Sequence, residues 1–396
     1  MQKQISYKVI DLFSGAGGFG LGFKMADYNL HLSLEKDAWA SDTLLANNPD
    51  NTIILNDDIR HYKTNNDILS ICKIKPDVII GGPPCQGFSN AGCFKSDPDD
   101  PRNYLFKHFV KWVECLRPTM FVMENVKGIL TKTNSNGDKV IDVIKKSFNK
   151  IGYSSLNIWT LNAAEYGVPQ LRERVFIVGH KDNINIPAPP KTHYIKNKCF
   201  DLVKAISVID AISDLPKINA KEGEEEQKYD KKPKTKYQRW VRGEQDILYN
   251  HVAMKHTNRI VDRFRRIKIG ESVTNVSKKY RERKRNGEGM VSMQSYNMNN
   301  RRLNPYKPAF TIPASFYSSF IHPYQHRNFT AREAARLQSF PDDYRFMGKR
   351  TLVSSLLLKR TGMPFHNCLS QYNQIGNAVP PLLSKAIAKH IKLYLK

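Results

Sequence analysis

The chain has 396 residues, of which 40% are hydrophobic and 25% are charged. These fractions are ordinary for globular proteins and exclude a wholly disordered chain, and the length leaves room for two domains. No stretch approaches the roughly 18 apolar residues that a membrane span needs, and the first residues lack the pattern of a signal peptide. We therefore expect a cytoplasmic protein that does not contact a membrane.

The net charge of +25 is concentrated in one region. Residues 231–310 carry 21 Lys and Arg against 6 Asp and Glu, whereas residues 1–100 carry 9 against 13. A local excess of this size is typical of a surface that faces nucleic-acid phosphates. A lysine-rich face that is simply solvated would have the same composition.

The six cysteines lie far apart in the sequence and include no CxxC pair. This spacing argues against both a zinc ribbon and a disulfide framework, so no metal site is predicted. Reduced thiols are expected, which leaves a catalytic cysteine possible.

Strand-like and helix-like segments alternate over the first 180 residues. The strand-like segments are YKVIDLF, LHLSLE, PDVIIGG and TMFVMEN, and helix-like stretches end near Asn47 and Leu116. This order predicts a mostly parallel α/β sheet, in which ligands bind beyond the carboxyl ends of the strands. Three strands enter polar or glycine-proline loops at Ser14, Gly81 and Glu124, which is where a site is expected.

The amino-acid composition of the chain changes after His180. A segment rich in Pro, Lys and Asn indicates a domain boundary, and residues 221–236, KEGEEEQKYDKKPKTK, are predicted to be a flexible excursion. Helical patterns return in TAREAARLQSF and after Pro380.

A glycine-rich turn follows the first strand, with glycines at positions 15, 17 and 20. Such glycines let the backbone turn tightly and approach a nucleotide-like ligand, and Glu35 at the end of the next strand is placed to bind ribose hydroxyls. The same spacing suits a nicotinamide or flavin enzyme, or a turn that is only structural.

Two further loops carry reactive side chains. Gly81-Gly-Pro-Pro-Cys-Gln-Gly-Phe-Ser89 is a stiff turn that presents Cys85 at the edge of the sheet, and Glu124 ends the next buried strand. We expect these strands to be neighbours, so that thiol and carboxylate face one substrate. Arg172 and Arg174 alternate at the start of a later strand and therefore point to the same side, where they could hold an anion or form a structural ion pair.

Taken together, these segments resemble the ordered motifs of the cytosine-5 DNA methyltransferases of the bacterial restriction–modification type. The matching segments are DLFSGAGG, GGPPCQGFS, MENV, QLRERVF, FTAREAARLQSFP and QIGNAVPP, and the resemblance covers about residues 7–180 and 300–393. Six segments in the family's order are highly specific, whereas any one of them is weak. Leu171 stands where the family usually has a polar or basic residue, but both arginines are present.

The resemblance implies an α/β fold with a Rossmann-like S-adenosylmethionine-dependent methyltransferase sheet and a smaller, basic target-recognition domain. Residues 1–190 and 325–396 would form the catalytic, cofactor-binding domain, and residues 191–324 would bind DNA. The implied catalytic residues are Cys85, Glu124, Arg172, Arg174 and Asn125. The implied cofactor-binding residues are Phe13, Gly15, Gly17, Glu35, Asp58, Ile59, Pro84, Leu105 and Asn377. The expected DNA contacts are Lys278, Lys279, Arg281, Arg283, Lys284 and Arg285 in the dense cationic segment.

The implied reaction transfers a methyl group from S-adenosylmethionine to carbon 5 of a cytosine in double-stranded DNA, through a Cys85 adduct on a flipped-out base. A cognate restriction endonuclease is the implied functional partner, and the family usually acts as a monomer. Three other hypotheses stay open: a tRNA cytosine-5 methyltransferase, a nicotinamide-dependent oxidoreductase and a catalytically silent nucleic-acid-binding module. The oxidoreductase hypothesis leaves Cys85 and Glu124 unexplained, and the characteristic Cys-Phe-Thr segment of the tRNA enzymes is absent from the sequence.

Overall fold

A computed structural model describes residues 6–49, 51–84, 104–134, 136–281, 290–291, 299–314, 316–351 and 368–395. The chain divides into two compact units. Unit 1 comprises Met1–Gly167, Arg172–Val203 and Ala378–Lys396, and unit 2 comprises Val168–Leu171 and Lys204–Asn377.

Unit 1 is built on a seven-stranded sheet in which five neighbouring strands are parallel, as the sequence predicts. Its strands are β1 (Lys8–Leu12), β2 (Asn29–Glu35), β3 (Ile53–Asn56), β4 (Val78–Gly81), β5 (Met120–Asn125), β6 (Leu156–Asn162) and β8 (Glu173–His180). They lie in the order β3-β2-β1-β4-β5-β8-β6, and β8 runs antiparallel to both β5 and β6. The start of β8 therefore lies at the same edge as the carboxyl ends of the five parallel strands.

Helices cover this sheet because their apolar residues recur at helical spacing. They are α1 (Gly18–Lys24), α2 (Ala38–Asn47), α3 (Asn65–Ile71), α4 (Phe106–Leu116), α5 (Val140–Lys150) and, from the end of the chain, α11 (Pro381–Ile391). In α4 the residues Phe106, Phe109, Val113 and Leu116 are buried in the same core as the sheet residues. This i, i+3, i+7 pattern presents one apolar face to the sheet.

The last helix of the sequence packs against the first. The Ser384 hydroxyl in α11 donates to the Phe19 carbonyl in α1 at 2.6 Å, and the Tyr28 hydroxyl donates to the Ala388 carbonyl at 3.0 Å. A Cβ atom on Gly22 would lie 2.3 Å from the Ser384 Cβ and 2.6 Å from the Pro381 carbonyl oxygen. Only glycine permits the two helices to approach this closely.

Unit 2 combines short helices with two-residue or three-residue strand pairs. Its helices are α6 (Val208–Ile212), α7 (Lys236–Arg242), α8 (Asn258–Arg266), α9 (Ala331–Leu337) and α10 (Gln371–Asn377). Its strands are β7 (Gln170–Leu171), β11 (Glu226–Lys228), β12 (Ile247–Tyr249), β13 (Arg301–Arg302), β14 (Ala309–Phe310) and β15 (Phe320–Ile321). They form the pairs β7–β14, β11–β12 and β13–β15. A further pair, β9 (His193–Tyr194) and β10 (Val203–Lys204), lies where the chain passes from unit 1 to unit 2.

Buried arginines hold unit 2 together. Arg336 in α9 forms ion pairs with both Asp214 and Asp342, and all three side chains are inaccessible to solvent. Arg332, also buried, donates to the carbonyls of Tyr249, Pro341 and Tyr344. Charges are tolerated in a protein interior when they are paired and hydrogen-bonded in this way.

Two expectations about organisation have different outcomes. The segment 221–236 was expected to be flexible, but it contains strand β11, which pairs antiparallel with β12. The side chains of β11 are charged or polar and mostly exposed, so the composition of the segment gave no sign of a strand. Residues 325–377, which the sequence assigns to the catalytic domain, fall in unit 2, and the functional boundaries at 190/191 and 324/325 stay a prediction.

Within the part of the chain that the structure describes, no helix is long and apolar enough to cross a membrane.

Candidate active site

The glycine-rich turn between β1 and α1 adopts a conformation that few residues other than glycine favour. Phe13, Gly15 and Gly17 have φ angles of 57°, 54° and 77°. The Ser14 hydroxyl donates to the Asp11 carbonyl at 2.7 Å, and the Gly17 amide donates to the Ser14 carbonyl at 2.9 Å. A Cβ atom on Gly15 would have no described heavy atom within 4 Å, so the backbone here borders open space. A ligand can therefore approach the main chain directly.

Glu35, at the end of β2, is tied to this turn. Its carboxylate accepts hydrogen bonds from the Gly15 amide and the Asp37 amide, both at 2.8 Å. Burial raises the pKa of Glu35, and the two amide bonds oppose that rise. Each carboxylate oxygen has a second lone pair, so Glu35 can also accept bonds from the hydroxyls of a bound sugar.

A second carboxyl group, which the sequence reasoning missed, also holds the turn. Asp11 is buried, and its Oδ2 accepts a hydrogen bond from the Gly20 amide at 3.1 Å. Burial raises the pKa of Asp11 well above its usual value. Its position near the end of β1, four residues before Gly15, was the available signal. Asp11 and Glu35 thus fix both ends of the turn.

Asp58 and Ile59 follow β3 at the same edge of the sheet. Asp58 accepts from the Arg60 backbone amide at 3.0 Å, and its carboxylate pairs with the Arg60 guanidinium at 2.6 Å. The hydrogen bond from Arg60 lowers the pKa of Asp58. Ile59 is buried in the core of unit 1. The carboxylate of Asp58 is thus paired with a cation, whereas the carboxylate of Glu35 accepts hydrogen bonds from backbone amides at the glycine turn.

The remaining predicted cofactor residues are placed in different ways. Phe13 and Leu105 are partly buried and pack against the core of unit 1. Pro84 is half-buried and is the last described residue before a gap at 85–103, so Cys85 lies outside the described residues. Asn377 is exposed at the end of α10 in unit 2.

Glu124 and Arg174 form an ion pair at the carboxyl edge of the sheet. Glu124 lies opposite Phe176 in the β5–β8 ladder. Arg174 is two residues before Phe176 and lies on the same face of β8, so the pairing of the two strands brings it beside Glu124. The Arg174 Nε lies 3.0 Å from the Glu124 Oε1, and the two side chains are only 15% and 14% exposed. Burial raises the pKa of Glu124, while Arg174 and then Arg172 oppose the rise. Burial outweighs the two guanidinium groups, so the pKa of this carboxyl group lies above its usual value.

Arg172 completes a cationic wall beside Glu124. Its side chain is buried, and burial followed by repulsion from Arg174 lowers its pKa well below the usual value. Burial also lowers the pKa of Arg174, against the attraction of Glu124. Two guanidinium groups and one carboxylate leave a net positive charge in a poorly solvated place. Such a place stabilises an anion or a carbonyl oxygen on which negative charge develops.

Asn125 connects this wall to the loop that follows β4. Its Nδ2 donates to the Pro83 carbonyl at 3.1 Å, and its Oδ1 accepts from the Val126 amide at 2.9 Å. Strands β4 and β5 are parallel neighbours, with Gly81 opposite Met123. The sequence prediction that these two strands are adjacent is confirmed, and the loop leading to Cys85 is fastened beside Glu124.

Only part of the predicted DNA-contacting segment is described. Lys278 and Lys279 are exposed, and Arg283, Lys284 and Arg285 lie outside the described residues. The Arg281 guanidinium donates to the carbonyls of Val276 and Thr274 at 3.2 and 2.9 Å. Arg281 thus braces its own loop, while the two lysines remain available to solvent.

Comparison with known proteins agrees with the motifs and the sheet. A family model described as C-5 cytosine-specific DNA methylase matches residues 7–393. The chain belongs to this family. The type II methyltransferase M.DdeI of Desulfomicrobium norvegicum is 48% identical over 392 residues, which are 98% of this chain and 89% of that relative. M1.HphI of Haemophilus parahaemolyticus is 36% identical over 388 residues, 98% of this chain and 87% of that relative.

A solved structure gives the same result for the fold. A crystal structure described as a DNA modification methyltransferase, encoded within a prophage of E. coli, has a TM-score of 0.70 and 26% identity to this chain. The match covers 98% of this chain and 99% of that one. The protein is therefore a DNA cytosine-5 methyltransferase that uses S-adenosylmethionine, and the predicted α/β methyltransferase fold is confirmed.

The glycine turn of the methyltransferase fits S-adenosylmethionine. The open space beside Gly15 admits the ligand to the backbone, and the Glu35 carboxylate has lone pairs left for ribose hydroxyls. When bound there, the cofactor supplies an electrophilic methyl group. The described residues of unit 1 that can hold it lie at the carboxyl ends of β1, β2 and β3, where ligands of such sheets bind.

Proposed function

We propose that the methyltransferase modifies one cytosine within a specific duplex sequence, through a covalent Cys85 adduct on a base turned out of the helix. The observation that carries this proposal is the partly buried Glu124–Arg174 pair at the carboxyl edge of the sheet. Asn125 fastens the Pro83 loop beside that pair, and the chain reaches Cys85 two residues later. Nucleophile, acid and oxyanion-stabilising group would thus serve one base.

The proposed role of Cys85 follows from the chemistry of cytosine. Carbon 5 is a weak nucleophile, and addition of the Cys85 thiolate to carbon 6 moves an electron pair toward carbon 5. Carbon 5 then takes the methyl group. Removal of the proton from carbon 5 and departure of the thiolate restore the double bond and release the enzyme.

Glu124 would act on the opposite side of the ring. As the thiolate adds, negative charge develops on the base, and a proton shared between Glu124 and ring nitrogen 3 stabilises it. Burial raises the pKa of Glu124, which favours the protonated form that donates this bond. Arg174 and Arg172 would hold the base carbonyl oxygen and a nearby phosphate, and Asn125 would position the nucleophile loop.

The cofactor would lie along the first three strands. We assign Phe13, Gly15 and Gly17 to its methionine portion and Glu35 to its ribose. Asp58 and Ile59 would border the adenine, and Pro84, Leu105 and Asn377 would complete the site. The open turn and the hydrogen bonds of Glu35 support this assignment.

Target selection would reside in residues 191–324. A cytosine inside a stacked duplex is out of reach, so the nucleotide must leave the stack at a cost of about a few kcal/mol. Lys278, Lys279, Arg283, Lys284 and Arg285 of the cationic segment would bind backbone phosphates and help offset that cost, while Arg281 would hold their loop in place.

The biological setting we propose is restriction–modification in the bacterial cytoplasm. M.DdeI and M1.HphI both carry the name type II methyltransferase. By analogy, methylation by this protein, acting as a monomer, would protect DNA from a cognate restriction endonuclease. The endonuclease need not bind the methyltransferase, since both recognise the same DNA.

The test incubates purified protein with methyl-labelled S-adenosylmethionine and either unmethylated genomic DNA or tRNA. The expected result is 5-methylcytosine in DNA alone, and its loss in the Cys85→Ser variant. Bisulfite sequencing of the product then identifies the modified site. Label in tRNA alone would replace the DNA substrate with an RNA substrate, and an active Cys85→Ser variant would refute the covalent mechanism.

A further inference from the structure

Unit 2 contains two adjoining cavities, of about 390 and 500 Å³, that share the lining residues Arg265, Tyr324 and His326. We name this surface the Arg265 groove. Lys221 also lines the first cavity, and Lys268 and Arg302 also line the second. Among the described residues that line the groove, none is acidic.

Arg265 differs from the other arginines of α8. Arg259 and Arg263 donate to the Arg281 carbonyl, and Arg266 pairs with Asp262 at 3.3 Å. In the described part of the chain, the exposed Arg265 guanidinium has neither a hydrogen bond nor an ion pair. A helix with four arginines thus uses three of them internally and presents one to the groove.

The carboxylates nearest in sequence are already engaged elsewhere. Glu222, beside Lys221, accepts from the Asn219 backbone amide at 2.6 Å and from its side-chain amide at 3.0 Å. Glu271 accepts from the Lys268 backbone amide at 3.4 Å. Within the described residues, neither the Lys221 nor the Lys268 ammonium group lies within 4.0 Å of a carboxylate oxygen.

The wall of the groove is held in place by a buried arginine. The Arg302 guanidinium donates to the carbonyls of Phe264 and Ile267 at the end of α8, and to those of His322 and Gln325 in the facing loop. Phe264 and Ile267 are buried in a small core of their own. The backbone on either side of Arg265 and the 322–326 loop are thus preorganised, which lowers the entropic cost of binding a ligand.

His326 supplies a neutral donor in the same place. The Arg302 Nη2 lies 3.3 Å from the His326 Nδ1. Arginine has no acceptor atom, so Nδ1 must accept this bond and the ring proton of the neutral form is on Nε2. Burial, followed by repulsion from Arg302 and Arg265, lowers the pKa of His326. An anion in the groove would oppose that repulsion.

We propose that the Arg265 groove binds backbone phosphates of duplex DNA, as a contact separate from the cationic segment at 278–285. Three cations without carboxylate partners, a fixed wall and the exposed Tyr324 match a polyanion that passes over an open surface. This inference rests on the proposed function, since it assigns the groove to the same DNA substrate.

The decisive experiment measures the affinity for a duplex as a function of NaCl concentration, by fluorescence anisotropy, with the full-length protein. Arg265→Gln removes one proposed phosphate contact, and Arg266→Gln, which removes the neighbouring arginine that pairs with Asp262, is the matched control. Each lost contact lowers the slope of log K against log salt by about 0.9. When the salt concentration rises from 50 to 200 mM, the fall in affinity of Arg265→Gln should therefore be smaller than that of wild type by a factor of about 3.

Further observations separate this contact from base recognition and from misfolding. Arg265→Gln should weaken specific and unrelated duplexes equally, because a phosphate contact reads no base. Its kcat at saturating DNA and its Tm should match wild type. The triple variant K221Q/R265Q/K268Q should show the sum of three slope changes. A wild-type slope for Arg265→Gln overturns the proposal.

A second arm distinguishes DNA from a free phosphate ligand. Titration of the His326 imidazole by NMR, assigned with His326→Gln, should show a higher pKa with the duplex bound and no change with inorganic phosphate at equal ionic strength. A response to inorganic phosphate alone overturns the assignment to DNA. If wild type methylates DNA and only the slope prediction fails, the proposed function stands and this inference falls.

Discussion

Replacing Arg336 with methionine tests the role of the buried charges in α9. The guanidinium pairs with Asp214 and Asp342, and it donates to the Ala211 carbonyl at 2.9 Å. Its removal leaves two solvent-inaccessible carboxylates, of which Asp342 keeps Arg332 at 3.7 Å. Removing one partner of a buried pair typically costs about 3–5 kcal/mol. We expect Arg336→Met to lower the free energy of unfolding by an amount in that range.

Urea unfolding followed by circular dichroism measures this loss, and its pH dependence tests the cause. Burial alone would raise the pKa of Asp342, but Arg336 and Arg332 hold it below its usual value. A carboxyl group with a lowered folded-state pKa contributes its full stability above about pH 4, and that contribution is lost as the pH falls further. The difference between wild type and Arg336→Met should shrink over this acidic range.

The matched control is Arg266→Met, which breaks an exposed pair with Asp262. Exposed helix pairs of this spacing contribute about 0.3–0.5 kcal/mol. If Arg336→Met costs no more than this control, the buried network does not stabilise unit 2 and our reasoning is wrong.

Three more outcomes are expected. Glu124→Gln keeps the shape of the side chain but loses the acid, so the rate constant for methyl transfer in single-turnover assays should fall about 10²–10⁴-fold; a wild-type rate would contradict its role. Glu35→Gln weakens a charged acceptor, and the calorimetric Kd for S-adenosylmethionine should rise about 10-fold or more, whereas an unchanged Kd would exclude a ribose contact. Burial lowers the pKa of His251 to about 4 and that of His322 to about 3. Both histidines are thus neutral in the folded protein, so their contribution to the free energy of unfolding is complete above the ordinary histidine pKa of about 6.5. Below that pH, the free energy of unfolding should fall by about 1.4 kcal/mol per pH unit for each histidine. His251→Gln should halve this slope, and a free energy of unfolding that does not change with pH would refute the assignment.

Sequence alone was sufficient for the sheet and its edge. The order of strands and helices in the first 180 residues, with glycines after β1 and a carboxylate after β2, specifies a parallel sheet because local periodicity and turn chemistry agree. The adjacency of β4 and β5 was also predictable, since consecutive strands of such sheets are usually neighbours. Glu124 and Arg174 meet because β8 returns antiparallel, and the alternation of the two arginines indicated their shared side.

Other features depend on contacts between distant residues. The arginines of TAREAARLQSF look like exposed helix residues, yet Arg332 and Arg336 are buried because carbonyls and carboxylates far away in sequence surround them. The Arg265 groove was equally hidden, since composition cannot tell which of four helix arginines is paired. Asp11 was overlooked because its partner is a backbone amide nine residues later.

The division of the chain has a consequence for its synthesis on the ribosome. Unit 1 borrows its last helix, α11, from the far end of the sequence, and α11 packs on α1 through the tight contact at Gly22. Domains usually fold as they emerge, beginning with the N-terminal part. Here one face of α1 stays uncovered during translation, because α11 is made only after more than 350 further residues.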